Sequence, residues 1–533
     1  MKKYLLIALA ALGFAACENV NDEINPGQSG ELEKSYVAIS LAADDFTKAG
    51  TEGVYEDGLA AEYAVKSAHV FFFKNSEPFA VSYDATNETT TNAGQTNFLN
   101  VTNLLYESDN TETPNVTDVK GVLVLQNYEG EYPDQIFAVL NWTPDKAGMY
   151  QLSELKTKTA LGNETNGYVM SNAVYADKSD KVIDVVPLTV ENIAKSPELA
   201  QQHPVTIYVE RVAAKVVFDA KNNGEFYIDE QIDGKPIIAK ITGFELYNDY
   251  EDSWLVKRID TAWDDEELGF TWNNPAWHRS YWATSLGKAF PENHFAWTET
   301  GANHKNIGEY DYCGENTRAW TEAEDVRTKV IVKAQLGTKE GTTFTPVTIA
   351  NWYGKDYNGE NNLLTEVANT LKNIYYSSVD GQTFVGILPE DLKCVARDAS
   401  AKNAYESYFQ LSDTGVAKTW YKNENGSYTA VTNLNDTLAA LQPALVYTEG
   451  MTYYWTDIRH LGVDKDDLGY YGVVRNHVYK VNITDIKGFG TPVYDPTIDF
   501  ITPEKPTEVI DTYVAAEIKI LSWRVVEYNY ELN

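Results

Sequence analysis

Apolar and polar residues alternate along much of the chain. In YVAISLAA (36–43), Val37, Ile39 and Leu41 fall on one side and Ala38, Ser40 and Ala42 on the other, the period of a half-buried strand. A polar, glycine-containing loop, DDFTKAGTEGVYEDG, follows it. Further strand-like runs are AHVFFF (68–73), GVLVLQ (121–126) and IFAVLNW (136–142), and one long strand is expected through VTIYVERVAAKVVFDA (205–220). A short helix is predicted over 151–158. Another starts at Ser196, which stands as N-cap before Pro197 at the first helical position and Glu198 in the first turn.

Residues 221–236 are polar and contain Gly224, Gly234 and Pro236, which places a domain boundary there. A second strand-rich region contains IIAKITGFELYN (237–248), KVIVKAQL (329–336), MTYYWTDI (451–458) and HVYKVNITDI (477–486), with a helix predicted over 361–372. A linker with proline and threonine spans 491–511, and TYVAAEIKILSWRVVEYNYELN (512–533) closes the chain. In that tail Val526, Tyr528, Tyr530 and Leu532 share one face, and Glu527, Asn529 and Glu531 the other. A terminal strand of this pattern needs an apolar groove, its own or another molecule's. Strands separated by turn signals argue for β-sandwiches rather than a parallel α/β sheet, and no short-period repeat is present.

The length of 533 residues implies two or three domains. Aromatic residues make up 13% of the chain, led by 36 tyrosines, which suits pleated, half-buried surfaces and supports a mainly β reading. The net charge of −35 repels phosphate backbones and anionic headgroups, so nucleic acid is not an expected partner. It reads as the solubility charge of an exported protein. No arginine precedes Arg211.

The N-terminus, MKKYLLIALAALGFAAC, has a basic start at Lys2 and Lys3 and an apolar run from Leu5 to Ala16 that is too short to span a bilayer. Ala15 and Ala16 then precede Cys17, the layout of a lipoprotein signal in which Cys17 becomes the acylated N-terminus. Phe14 stands where a strict motif has leucine. The polar, acidic stretch ENVNDEINPGQSGELEK reads as a flexible tether, and no later stretch is long enough to span a membrane as a helix. Cys313 and Cys394 stand either as one disulfide or as two buried free thiols.

No motif for catalysis is present: there is no HExxH, GxSxG, Walker loop or cysteine pair at zinc spacing, and the seven histidines are scattered. Asp464, Asp466 and Asp467 before Gly469 resemble the start of a calcium loop, but Arg475 occupies the position of its last acidic ligand. The cluster Asp264, Asp265, Glu266 and Glu267 is better read as a solvated face than as a glycosidase pair, and WNNPAWHRSYW (272–282) as packing aromatics rather than a sugar platform. No cofactor, metal or enzymatic activity is expected.

Five pieces, in this order, resemble the fimbrillin family of the Bacteroidales, specifically the shaft subunits of type V pili. They are the lipoprotein signal with a strand and a basic site after it, VERVAAKVVFDA (209–220), ITGFELYNDYEDSWLVKR (241–258), YYGVVRNHVYKVNITDIKGFG (470–490), and the tail with Trp523. In the fourth piece Val474, Arg475, Asn476, His477, Tyr479 and Ile483 fit the family's VRN-x-x-Y-x-x-x-I signature. The resemblance implies two transthyretin-like β-sandwich domains, at 49–222 and 237–511, with a few short helices. It also implies a signal over 1–17, a tether and removable strand over 18–48 carrying Val37, Ile39 and Leu41, and a donor strand over 512–533 carrying Val526, Tyr528, Tyr530 and Leu532. A lipidated outer-membrane precursor would be cut by a surface protease. The tail of one copy would then fill the emptied groove of the next, giving fimbriae for adhesion and biofilm formation.

Here the sequence departs from the family, whose best-known members are cut after arginine. The equivalent residue is Lys48, so a trypsin-like or lysine-accepting protease and a mature N-terminus at Ala49 are expected. Expected partners are other copies of the chain, anchor and tip subunits, surface receptors of host or bacterium, and the outer membrane through the precursor lipid. The competing readings are a fimbrial anchor subunit left uncut, a non-polymerising glycan-binding outer-membrane lipoprotein, and a surface glycoside hydrolase.

Overall fold

The computed structural model describes residues 32–42, 58–83, 95–101, 105–108, 116–128, 131–173, 175–176, 182–258, 284–286, 297, 304–317, 326–397, 405–460, 471–497, 513–521 and 526–528. The chain is mainly β, and its helices are short. In the N-terminal half the principal strands are β1 (Leu32–Ala42), β2 (Ala68–Lys74), β3 (Val116–Tyr128), β4 (Gln135–Leu140), β5 (Met170–Asn172) and β6 (Val205–Arg211). They are hydrogen-bonded in the order β2–β4–β5–β6–β1–β3.

The run AHVFFF has no polar face because both of its faces are covered. Val70 and Phe72 of β2 join Ile136, Ala138 and Leu140 of β4 in one core, while Phe71 and Phe73 join Phe137 and Val139 in a second, on the opposite side of the sheet. Two single-turn helices flank this half, α1 (Leu152–Leu155) and α2 (Pro197–Ala200). The expected cap is present on α2: Leu199 donates its backbone N–H to Ser196 Oγ at 3.3 Å.

The C-terminal half is a sandwich of two sheets. One contains β7 (Ala214–Ala220), β10 (Tyr310–Cys313), β13 (Val478–Lys487), β14 (Tyr513–Leu521) and β15 (Val526–Tyr528), in the order β10–β7–β13–β14–β15. The other contains β8 (Glu225–Ile232), β9 (Lys235–Tyr247), β11 (Lys329–Glu340) and β12 (Met451–Asp457), in that order. Val216, Phe218, Tyr479, Val481 and Ile483 from the first sheet meet Ala239, Phe244, Val332 and Tyr454 from the second, and the Phe218 and Phe244 rings stack at 4.6 Å.

Between β11 and β12 the chain inserts a unit with its own core, in which Leu363, Leu364, Val367 and Leu371 of α3 (Glu360–Leu371) pack on Trp352, Phe409 and Trp420. This helix lies one residue from the range expected. Gly359 caps it with φ +83°, a conformation that a side chain would strain.

The long strand expected over 205–220 is instead two strands in different sheets. β6 pairs with β1 and β5, whereas β7 pairs with β10 and β13. Val212 and Ala213 make the crossing, both fully buried, so burial rather than a polar turn marks the change. The change of sheets therefore does not fall within 221–236, where a short turn leads into the β8–β9 hairpin.

Candidate functional site

β1 lies inside its sheet. Its whole length pairs antiparallel with β3, from Leu32↔Tyr128 to Ala42↔Asp118. On the other side, Ile39 to Ala42 run parallel to Val205 to Tyr208 of β6, and Tyr36 and Val37 pair with Ala194 and Ile193. Val37 is fully buried in the core that contains Leu123, Leu125, Val205, Ile207 and Val209. Ser35 and Ala38 are buried as well. Withdrawal of β1 would leave the facing edges of β3 and β6 without backbone partners and open the core along a strand-length groove.

At the other end of the chain, β14 pairs antiparallel with β13 from Val478↔Leu521 to Lys487↔Tyr513, with a bulge at Ile483/Asp485. β15 folds back on β14 through three pairs: Ile518↔Tyr528, Lys519↔Glu527 and Ile520↔Val526. The expected 512–533 tail thus divides. Residues 513–521 are a full member of their own chain's sheet, and Val526 and Tyr528 lie on the short edge strand. Tyr530 and Leu532 lie outside the described residues, as do Cys17, Lys48, Ala49, Asp464 to Gly469, Asp264 to Glu267 and residues 272–282.

The signature around Arg475 sits at the crossing between the halves. Arg475 is fully buried; its Nε and Nη2 donate to Glu315 Oε2 at 3.1 and 3.0 Å, and Nη2 also donates to the Trp254 carbonyl at 2.6 Å. Asn476 has φ +59°, a left-handed conformation that asparagine tolerates better than most residues. Its N–H donates to the Ala213 carbonyl at 2.7 Å, and its Oδ1 accepts from Arg211 Nη1 at 3.1 Å. Lys215 N–H then donates to the His477 carbonyl at 2.9 Å. The Tyr479 hydroxyl accepts from Val474 N–H at 2.7 Å and pairs with His460 Nδ1 at 2.9 Å, and Ile483 fills the sandwich core. These residues hold the Val212–Ala213 crossing.

A second set of contacts ties the segment after β1 to the C-terminal half. Glu62 is buried; its Oε1 accepts from Lys215 Nζ at 2.5 Å and from the Tyr312 hydroxyl. Arg211 Nε donates to the Glu62 carbonyl at 2.6 Å. Burial, reinforced by the Glu62 carboxylate, pushes the Tyr312 hydroxyl far above the ordinary phenol range and keeps it a donor. Sequence reasoning missed Glu62, Tyr312 and Glu315, whose bonds to Arg211, Lys215, Arg475 and one another span 149 to 250 positions and leave no local pattern.

Cys313 and Cys394 are both buried free thiols in different cores, the first in the C-terminal sandwich and the second in the inserted unit. Burial pushes both thiols well above their usual range. Among the described residues no group of three or more histidine, cysteine, aspartate or glutamate side chains could hold a metal ion.

Residues 445–529, which contain β12, the Arg475 signature, β13, β14 and β15, match the family model described as major fimbrial subunit protein type IV, fimbrillin, C-terminal. Among solved structures, a candidate cell adhesion protein from Parabacteroides distasonis is 11% identical, with 93% of this chain and 98% of that chain covered and a TM-score of 0.40. The tip fimbrial protein from Porphyromonas gingivalis, with C-terminal truncation, is 12% identical, with 92% and 100% covered and a TM-score of 0.29. A fimbrial assembly protein from Parabacteroides distasonis is 12% identical, with 73% and 100% covered and a TM-score of 0.28. No curated protein matches the chain.

Proposed function

From the match of residues 445–529 to the fimbrillin C-terminal model, we propose that this protein is the shaft subunit of a surface fimbrium and polymerises by strand exchange after proteolysis. The observation that carries this reading is the place of β1. It is an internal strand of the N-terminal sheet, and the chain leaves it through the segment that holds Lys48. A cut between Lys48 and Ala49 turns β1 into a separate peptide held by hydrogen bonds and apolar contact alone.

The tail of a second copy is a suitable replacement. Val526, Tyr528, Tyr530 and Leu532 repeat the two-residue spacing of Val37, Ile39 and Leu41. Each such side chain contributes ~1.5–3 kcal/mol on burial, before the cost of ordering the strand, and the ladders to β3 and β6 satisfy its backbone. The donor and the acceptor lie at opposite ends of the chain, so the contact is heterologous and propagates as a fibre. In the precursor β1 fills the groove and prevents early assembly. Acylation at Cys17 brings the precursor to the outer membrane. Anchor and tip subunits complete the fimbrium, which serves adhesion and biofilm formation. The role is structural, not enzymatic.

The test is to shear surface material from the native host, determine the N-terminal residue of this protein and follow its migration without heating. A start at Ala49 in ladders on the unheated gel supports the reading. A lipidated Cys17 start in a monomer overturns the shaft role in favour of an anchor subunit or a glycan-binding lipoprotein.

A further inference from the structure

The slot that β1 fills is uneven along its length. On its core-facing row β3 presents Leu125 and Leu123, both buried, paired with Ser35 and Val37. The next position in that row is Gly121, buried and paired with Ile39. Gly121 sits inside a ladder that continues without a bulge on both sides, with Lys120↔Ser40 and Val122↔Ala38 as its neighbours. Nothing in the backbone there calls for glycine, and glycine within a strand costs ~0.5–1 kcal/mol relative to alanine. What it provides is a position with no side chain beside the middle of the slot, across from Val205 on β6.

We propose that Gly121 is the specificity position of this groove, the place where it admits a tyrosine from the tail of a second copy. The proposal rests on the strand-exchange reading above and specifies which strands the groove accepts. Ser35, Val37, Ile39 and Leu41 are four alternate positions of β1, the first two buried, and the tail has four apolar residues at the same spacing. Full overlap allows two alignments. If the tail runs in the sense of β1, Tyr530 takes the place of Ile39; if it runs in the opposite sense, Tyr528 does. In both cases a tyrosine stands opposite Gly121. The second tyrosine takes the place of Val37, and its ring lies within diagonal reach of the same gap. The chain's own β1 carries isoleucine at that position, a smaller side chain than tyrosine, so the groove would bury more apolar surface from the incoming strand than from the outgoing one. That difference gives exchange its direction.

The test uses the full chain and its Gly121→Val variant, each exposed to limiting trypsin, with ladder formation followed on unheated gels. The wild type is expected to be cut at Lys48 and to form ladders. The variant is expected to keep the precursor's thermal transition and its cleavage, but to form ladders at least tenfold more slowly. Adding Tyr528→Val and Tyr530→Val to Gly121→Val is expected to restore the rate to within about threefold. Should Gly121→Val fail to fold, Gly121→Ala tests the same gap with a smaller side chain. Ladders at the wild-type rate from a folded Gly121 variant, or no restoration by the valine tail, overturn the proposal. A wild type that is cut at Lys48 and forms no ladders overturns the strand-exchange reading, and this inference falls with it.

Discussion

Lys215 Nζ lies 2.5 Å from Glu62 Oε1, and the pair ties the segment after β1 to the C-terminal half. Glu62 lies in the segment after β1, and Lys215 is in β7, the first strand of the C-terminal half. Their side chains are 1% and 9% exposed, so the pair is a buried one. If β1 is excised, this contact keeps the new N-terminal segment fixed to the body of the subunit.

Glu62→Ala is therefore expected to lower stability by about 3–5 kcal/mol, because it strands Lys215 and the Tyr312 hydroxyl without their acceptor. Glu62→Gln, which keeps an acceptor oxygen, should cost less. Removal of the exposed Lys74–Glu131 pair, 3.5 Å apart, is expected to cost under about 1 kcal/mol. Urea denaturation of the three variants measures the difference.

The division of the tail predicts two different truncation outcomes. Deletion of residues 524–533 removes β15 and the last residues of the chain but spares β14, and is expected to abolish ladders while leaving the thermal transition nearly unchanged. Deletion of residues 513–533 also strips β14 from β13, leaving a whole edge of the sandwich without partners. That variant is expected to lose several degrees of thermal stability and to aggregate. Differential scanning calorimetry with unheated electrophoresis separates the two.

Asp249 supplies a pH dependence. Burial is the chief cause that raises its carboxyl from 3.8 to about 6, with Asp311 and Glu251 adding to the shift, although part of the side chain still reaches solvent. A carboxyl whose folded pKa lies above its unfolded value holds its proton more tightly in the folded protein. Its cost to stability is absent below the unfolded value, grows as pH rises between the two, and is complete above about 6. Asp249→Asn is expected to be neutral near pH ~4 and to stabilise by up to about 3 kcal/mol near pH ~8. Urea melts at the two pH values give the sign.

The two core thiols predict chemical silence. In the native protein a maleimide is expected to add to neither Cys313 nor Cys394, and both should react after denaturation. Peptide mass spectrometry under oxidising conditions should recover both residues unlinked to each other, as their separate cores require.

Much of this architecture is legible locally. The alternation in 36–43 marks β1, and Ser196 with Pro197 marks the start of α2, because period and capping act over a few residues. The break at Val212–Ala213 is not legible: both residues are apolar and small enough to continue a strand, and only their distant partners, among them Asn476, bend the chain into a new sheet. Arg475 and Asn476 stand out as a motif, yet their work as a buried clasp depends on Glu315 and Ala213, brought to them by folding. The inserted unit between β11 and β12 is equally hidden, since its strands alternate like those around it. At the candidate site, the apolar rows of β1 and of the tail are visible in the sequence, whereas the inner position of β1 between β3 and β6 is a matter of topology.

The placing of β6 and β7 end to end has a mechanical consequence. Each has a parallel neighbour, β1 for β6 and β13 for β7, and the chain passes from one strand to the other through the buried Val212–Ala213 crossing. A pull along this run passes from one half to the other through covalent backbone and loads both ladders lengthwise. Hydrogen bonds loaded in this way share the force and yield together, whereas bonds loaded crosswise would unzip one at a time. A pull applied along β6 and β7 would therefore meet two parallel ladders in shear.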